Sequence, residues 1–220
     1  MKKIGLVALL VALVLMVVPQ AFAWTIVGDY GDTGWQTYSY TFDQYWAGEG
    51  AFVVSNYDDT AASSVLLVDN VNFGVENGSF ETGDLTDFSD YGDVSVVESF
   101  EAYNGIVYNP TDGDYMARLL ASGEDTSEFG GTDGTYLWLD GYFEFDPGDQ
   151  ISFDWAFLGM DYMPYEDFSI FIHPSEESQI VEFEQLGRIG AIDATTTPEP
   201  ASMSLLGLGL LGLVRRYRRK

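Results

Sequence analysis

The sequence predicts an all-β protein: an antiparallel, jelly-roll-like β-sandwich over residues 24–194, flanked by an N-terminal signal helix and a short C-terminal transmembrane helix. Three observations carry the prediction. Residues 24–197 contain no long helical period. They contain short runs of β-branched and aromatic residues instead, several in strict alternation. Gly, Asp and Asn clusters separate these runs at the spacing of turns.

The elements follow in chain order. Met1 to Ala23 reads as a secretory signal peptide: Lys2 and Lys3 form the charged start, Ile4 to Val18 the apolar core, and Ala21-Phe22-Ala23 the small-residue cleavage site. Thr37 to Phe42 alternates, with Tyr38, Tyr40 and Phe42 on one face. Strands are predicted next at 51–54, 65–71, 94–97, 115–120 and 135–145. Asp146-Pro147-Gly148-Asp149 is a turn by composition, with 151–158 returning as the second arm of a hairpin. Runs at 168–172 and 180–184 close the set; in the latter Val181 and Phe183 face one way, Glu182 and Glu184 the other.

Charge separates the body from its ends. Residues 24–197 hold 34 acidic residues against Arg118 and Arg188, a formal charge of −32. A nucleic-acid partner is excluded, because a phosphate backbone needs Lys and Arg. Anionic surfaces are disfavoured unless a divalent cation bridges them. So acidic a body suggests calcium, which takes oxygen ligands; a plain solubility device is the simpler alternative. There is no cysteine, so an exported domain must rely on its core, on metal, or on both.

The tail, 195–220, has three parts. Pro198-Glu199-Pro200 stays extended, because proline fixes φ and removes an amide donor. Residues 201–214 form an apolar run of about 21 Å as a helix, short for a full span. Arg215, Arg216, Arg218, Arg219 and Lys220 resist crossing a membrane and act as a basic stop. This order resembles the PEP-CTERM sorting signal of exported bacterial proteins. The resemblance implies export by the Sec machinery across the inner membrane of a Gram-negative bacterium. It also implies recognition of the Pro-Glu-Pro by an exosortase, a membrane-embedded cysteine protease or transpeptidase. An ordinary membrane anchor without processing is the alternative.

A second resemblance enters at Asn77-Gly78-Ser79-Phe80-Glu81-Thr82-Gly83-Asp84-Leu85, which is similar to the opening strand of jelly-roll modules in exported and carbohydrate-binding proteins. Phe88 stands where such modules commonly carry Trp. Their closing strand resembles Ser64-Val65-Leu66-Leu67-Val68-Asp69-Asn70-Val71, which here precedes the opening one. A circular permutation accounts for the order, and a fragment of a tandem pair is the alternative. Permutation predicts that 65–71 pairs beside the Phe80 strand and that the Trp24 end lies near Asp193. In similar modules the matching Glu and Asp meet around a structural calcium, which implies Glu81 and Asp69 as ligands; Asn77 and Asp84, with Asn70 and Glu76, are near enough in sequence to add oxygens. Plain loop carboxylates are the alternative.

Little supports catalysis. His173 is the only histidine, and Pro174 follows it at a strand end. The glycines of Gly28 to Gly34 lack a following helix and read as turns. Trp138 and Trp155 sit in strand runs and are expected in the core. Trp46 sits in a loop-like context and is the candidate for exposure and sugar stacking. The expected function is a non-enzymatic cell-surface or matrix protein associated with exopolysaccharide. The alternative is a lectin-like module for extracellular polysaccharide.

Overall fold

A computed structural model describes residues 24–173 and 182–191. The signal segment 1–23, the boundary at 194 and the tail 195–220 lie outside the described residues, as do the Pro-Glu-Pro, the apolar run and the basic stop. Among the described residues no helix is long and apolar enough to cross a membrane.

The strands are β1 (Thr25–Val27), β2 (Gln36–Thr41), β3 (Trp46–Gly48), β4 (Ala51–Ser55), β5 (Val65–Asp69), β6 (Phe88–Tyr91), β7 (Asp93–Val97) and β8 (Phe100–Glu101). They continue as β9 (Val107–Tyr108), β10 (Met116–Leu120), β11 (Glu124–Asp125), β12 (Asp133–Leu139), β13 (Phe143–Phe145), β14 (Gln150–Leu158), β15 (Phe168–His173) and β16 (Glu182–Ile189). One sheet has the order β1-β16-β15-β4-β12-β11, with β6 also paired to β12; the other has the order β2-β14-β5-β10-β7. The pairs β13–β3 and β8–β9 form two small ribbons.

The two large sheets pack face to face as a β-sandwich. Phe52 and Val54 of β4, Leu137 of β12 and Phe171 of β15 meet Leu66 and Val68 of β5 and Phe153 and Phe157 of β14 in one buried cluster. Ring centroids of Phe52, Phe153 and Phe171 lie 4.8–5.1 Å apart. Truncating such a core Phe costs about 3–5 kcal/mol. Strand β5 is buried on both faces, because Val65 and Leu67 pack outward against Ala102 and Tyr108 of the β8–β9 ribbon. That coverage explains its unbroken apolar sequence.

The pairing is antiparallel throughout the described residues except β1–β16, which is parallel with Thr25 opposite Gly187. The N-terminal strand therefore lies beside the last described one, and the amide of Val71 donates to the carbonyl of Gly78 at 2.9 Å. Strand β5 itself pairs with β10 and β14, no strand forms at Phe80 for it to pair beside, and Asp193 lies outside the described residues.

Four expectations are corrected. The run 135–145 is two strands, β12 and β13, in different sheets. Asp146–Asp149 does turn, with Asp149 N donating to Asp146 O at 3.0 Å, yet β14 pairs β2 and β5 rather than β13. The Asn77–Leu85 segment is a series of turns and not a strand, with Phe80 at φ +57. The last run, expected at 180–184, is described as β16 from Glu182 to Ile189; its alternation holds, with Phe183 38 % exposed and Glu184 buried on the other face. Glu184 lies opposite Phe171, whose side chain enters the core, so it is carried inward with that row. A register shift between Phe168 and Ile170 sets this alignment.

Candidate functional site

Of the residues predicted to bind metal, Asp69 and Glu81 converge on one loop, 111–115. Asp69 ends β5, directly opposite Asp154 of β14, and is fully buried. Its Oδ2 accepts from the amides of Thr111 at 2.6 Å and Asp112 at 3.0 Å, and its Oδ1 from that of Asn70 at 2.7 Å. The Thr111 hydroxyl lies 3.0 Å from Asp69 Oδ2 and 2.8 Å from Asp154 Oδ2, bridging the two carboxylates. Asn70 Nδ2 and the Thr37 hydroxyl complete the shell of Asp154, at 3.1 and 2.6 Å. Burial raises the Asp69 carboxyl above its ordinary value, and the amide and hydroxyl donors offset part of that rise.

Glu81 grips the far side of the loop: its Oε1 accepts from the amides of Asp114 at 2.8 Å and Tyr115 at 3.0 Å. Gly113 between them has φ +71, and a Cβ there would lie 2.2 Å from the Glu81 carboxyl carbon. Only glycine fits both demands. Asn77 and Asp84 organise the neighbouring turn. Asn77 Nδ2 donates to the carbonyls of Asp84 and Thr86, and its Oδ1 accepts from Thr82 N. Hydrogen bonds from Thr86 and Thr82 hold the Asp84 carboxyl below its ordinary value.

Both Asp69 oxygens, Asn77 Oδ1, Glu81 Oε1 and Asp84 Oδ1 are therefore committed to N–H and O–H donors of the protein itself. No group of three or more His, Asp or Glu side chains placed to hold a metal occurs among the described residues. Calcium takes about six to eight oxygen ligands. The donor set as placed is a loop clamp and does not fit that shell.

Trp46 is not exposed. It belongs to β3, is buried, and packs against His173 at 4.4 Å and Phe42 at 5.3 Å between centroids. The β3–β13 pairing folds it inward, which its Gly-flanked sequence does not announce. With Phe73, Phe145 and Phe171 it lines a cleft whose free volume, about 20 Å³, admits a water and not a sugar ring. His173 Nε2 lies 3.1 Å from Glu184 Oε1; His173 Nδ1 and Glu184 Oε2 are buried without a hydrogen-bond partner among the described residues. Burial, and then the charge of Glu184, raises the hydroxyl of Tyr38 beside this pair. Trp155 is in the core as expected, and Trp138 packs partly buried on the outer face of its sheet.

Sequence reasoning missed a second acidic group, at the opposite end of β5. Asp167 is fully buried; its Oδ1 accepts from Tyr57 N at 3.0 Å and its Oδ2 from the Ser64 hydroxyl at 2.7 Å. Burial pushes its carboxyl up to about 7, and the charges of Asp161 and Asp59 add to that. Asp161 is also buried and raised, by desolvation first and by Asp59 and Asp29 as well. An acidic residue one position before the apolar run 168–172 was the available signal.

Comparison with known proteins gives one match. A family model of the PEP-CTERM protein-sorting motif matches residues 196–220. No characterised protein and no solved structure shows significant similarity to the chain.

Proposed function

Because the chain ends in a PEP-CTERM protein-sorting motif, the mark of an exported Gram-negative protein handed to an exosortase, we propose that its acidic sandwich works outside the cell as a non-enzymatic component of the surface or exopolysaccharide matrix. The motif at 196–220 is the observation that carries this reading. The signal-like segment 1–23 supports it from the other end, since both basic flanks stay inside and put 24–197 across the membrane. Pro198, Glu199 and Pro200 are the residues the exosortase reads. Arg215, Arg216, Arg218 and Arg219 hold the tail at the membrane until it is cut.

The permuted jelly-roll reading of the sandwich belongs here too. It is supported by the adjacency of β1 and β16 and by the Val71–Gly78 hydrogen bond. The matrix reading needs no catalytic centre, and the closed cleft at His173 leaves no room for a polymer substrate. A lectin-like role remains the second reading, favoured by exposed tyrosines such as Tyr103 and Tyr162.

Intact-mass analysis of protein from a host with exosortase tests the proposal. The expected product has lost both 1–23 and the residues after the Pro-Glu-Pro. A triple Pro198→Ala, Glu199→Ala, Pro200→Ala variant is expected to keep its tail and stay with the membrane fraction. A full-length chain in the cytosol, with Met1 and Lys220 intact, would falsify the reading.

A further inference from the structure

Three loops distant in sequence meet around a row of tyrosines. Tyr30 follows β1, Tyr103 sits at the tip of the β8–β9 ribbon, and Tyr162 and Tyr165 lie between β14 and β15. Tyr30 and Tyr103 stack at 4.7 Å and 22°. Tyr162 is 6.0 Å from Tyr30, and Tyr165 is 5.6 Å from Tyr162. Tyr103 is 70 % and Tyr162 45 % exposed, so ring surface of this row faces solvent.

The row is held rigid from below. Asn104 Nδ2 donates to Asp32 Oδ2 at 2.6 Å, Gly34 N to its Oδ1 at 3.0 Å, and the Tyr108 hydroxyl also donates to Oδ1. Trp35 Nε1 donates to Asn109 O at 3.0 Å. These bonds lock the β8–β9 ribbon to the loop of Tyr30. Tyr30 N donates to Asp161 O at 2.9 Å, and Met163 N to Asp29 Oδ1 at 3.0 Å, which locks the third loop. Burial, the neighbouring tyrosines, and Asp161 and Asp29 all raise the Tyr30 hydroxyl, so the rings lie in a negative field.

We propose that Tyr30, Tyr103 and Tyr162 form a binding surface for a cationic amino-sugar polymer, with sugar rings lying on the tyrosine faces and ammonium groups beside Asp29. The inference rests on the exported, matrix-facing reading above. Charge decides the class of ligand. A body with 34 acidic residues against two basic ones repels anionic polymers and attracts cationic ones. Aromatic faces bind cations through their quadrupole, and preordered rings lose little entropy on binding. A repeating flat ring suits an open row of aromatics better than a basic peptide, whose anchors need pockets.

The test uses the full chain in a non-ionic detergent, titrated calorimetrically with a glucosamine hexamer and with its N-acetylated counterpart. The glucosamine form is expected to bind more tightly, and more weakly as salt is raised. Tyr103→Ala, at an exposed ribbon tip that does not support the core, is expected to weaken it about tenfold, and Tyr162→Ala similarly. Tyr142→Ala, at an equally exposed tyrosine elsewhere, is the control and is expected to bind like the parent. Equal binding by the Tyr103→Ala chain would overturn the site in favour of diffuse attraction. Equal binding of the N-acetylated hexamer would overturn the charge argument. Binding only of a lysine-rich peptide would overturn the sugar. An exported and trimmed chain that ignores the hexamer overturns this site alone, whereas an untrimmed chain that binds it overturns sorting alone.

Discussion

The two ends of β5 hold carboxylates in opposite ways. At the Asp69 end, amides and hydroxyls of the protein surround each buried oxygen, and the acid clamps a loop. At the Ser64 end, Asp167 has two donors, and burial first, then the charges of neighbouring aspartates, raise both Asp167 and Asp161. The first arrangement offsets burial of a charge by local dipoles. The second leaves a desolvation cost that protonation relieves. A chain this acidic folds by using the first device where it needs a fixed loop and tolerating the second where it does not.

The largest test removes the clamp. Asp69→Ala should leave the amides of Asn70, Thr111 and Asp112 without their acceptor. Urea unfolding should show a loss of about 3 kcal/mol or more. An unchanged midpoint would mean that loop 111–115 is not held by Asp69.

Next comes the other end, with the opposite sign. The Asp167 carboxyl is raised from an ordinary 3.8 to about 7 in the folded chain. Its contribution to stability is therefore full below about pH 4 and lost as pH rises through 7. Asp167→Asn removes the charge and keeps the acceptor for the Tyr57 amide, while its amide nitrogen donates to the Ser64 hydroxyl oxygen instead of accepting from it. It should gain about 1–2 kcal/mol over the parent at pH 8 and flatten the decline between pH 4 and 7. Melting curves across that range check both; a variant no more stable at pH 8 refutes the desolvation cost at Asp167.

Smaller effects sharpen the clamp. Gly113→Ala combines a left-handed backbone with a clash against Glu81 and should cost about 1–2 kcal/mol. Glu81→Gln keeps an acceptor and should cost less, about 1 kcal/mol. Smallest of all is chelation. If the oxygens of Asp69 and Glu81 serve the loop and not a metal, EDTA should move the melting temperature by less than about 2 °C. A drop of ten degrees restored by calcium would reinstate the metal at this end.

What the sequence disclosed depended on range. Alternation in 37–42 put Tyr38, Tyr40 and Phe42 on one face correctly, because period-two patterning is local; the structure shows that face packed on the core. Asp69 and Glu81 were found because their strand and loop motifs are contiguous words, although what they grip, the amides of 111–115, lies tens of residues on. Trp46 was misplaced because the pairing between β3 and β13 decides its face, which leaves no local mark. Asp154 sits in a run that reads as pure core. The tyrosine row was invisible for the same reason: Tyr30 and Tyr162 are neighbours only through three loops that the fold brings together.

The parallel pairing of β1 with β16 also orders events in time. A polypeptide threaded outward from its amino end presents Thr25–Val27 first, yet their partner Gly187–Ile189 emerges last. That edge must wait, unzipped, until nearly the whole body has been delivered. Completion of the fold is thereby linked to arrival of the segment just ahead of the sorting tail.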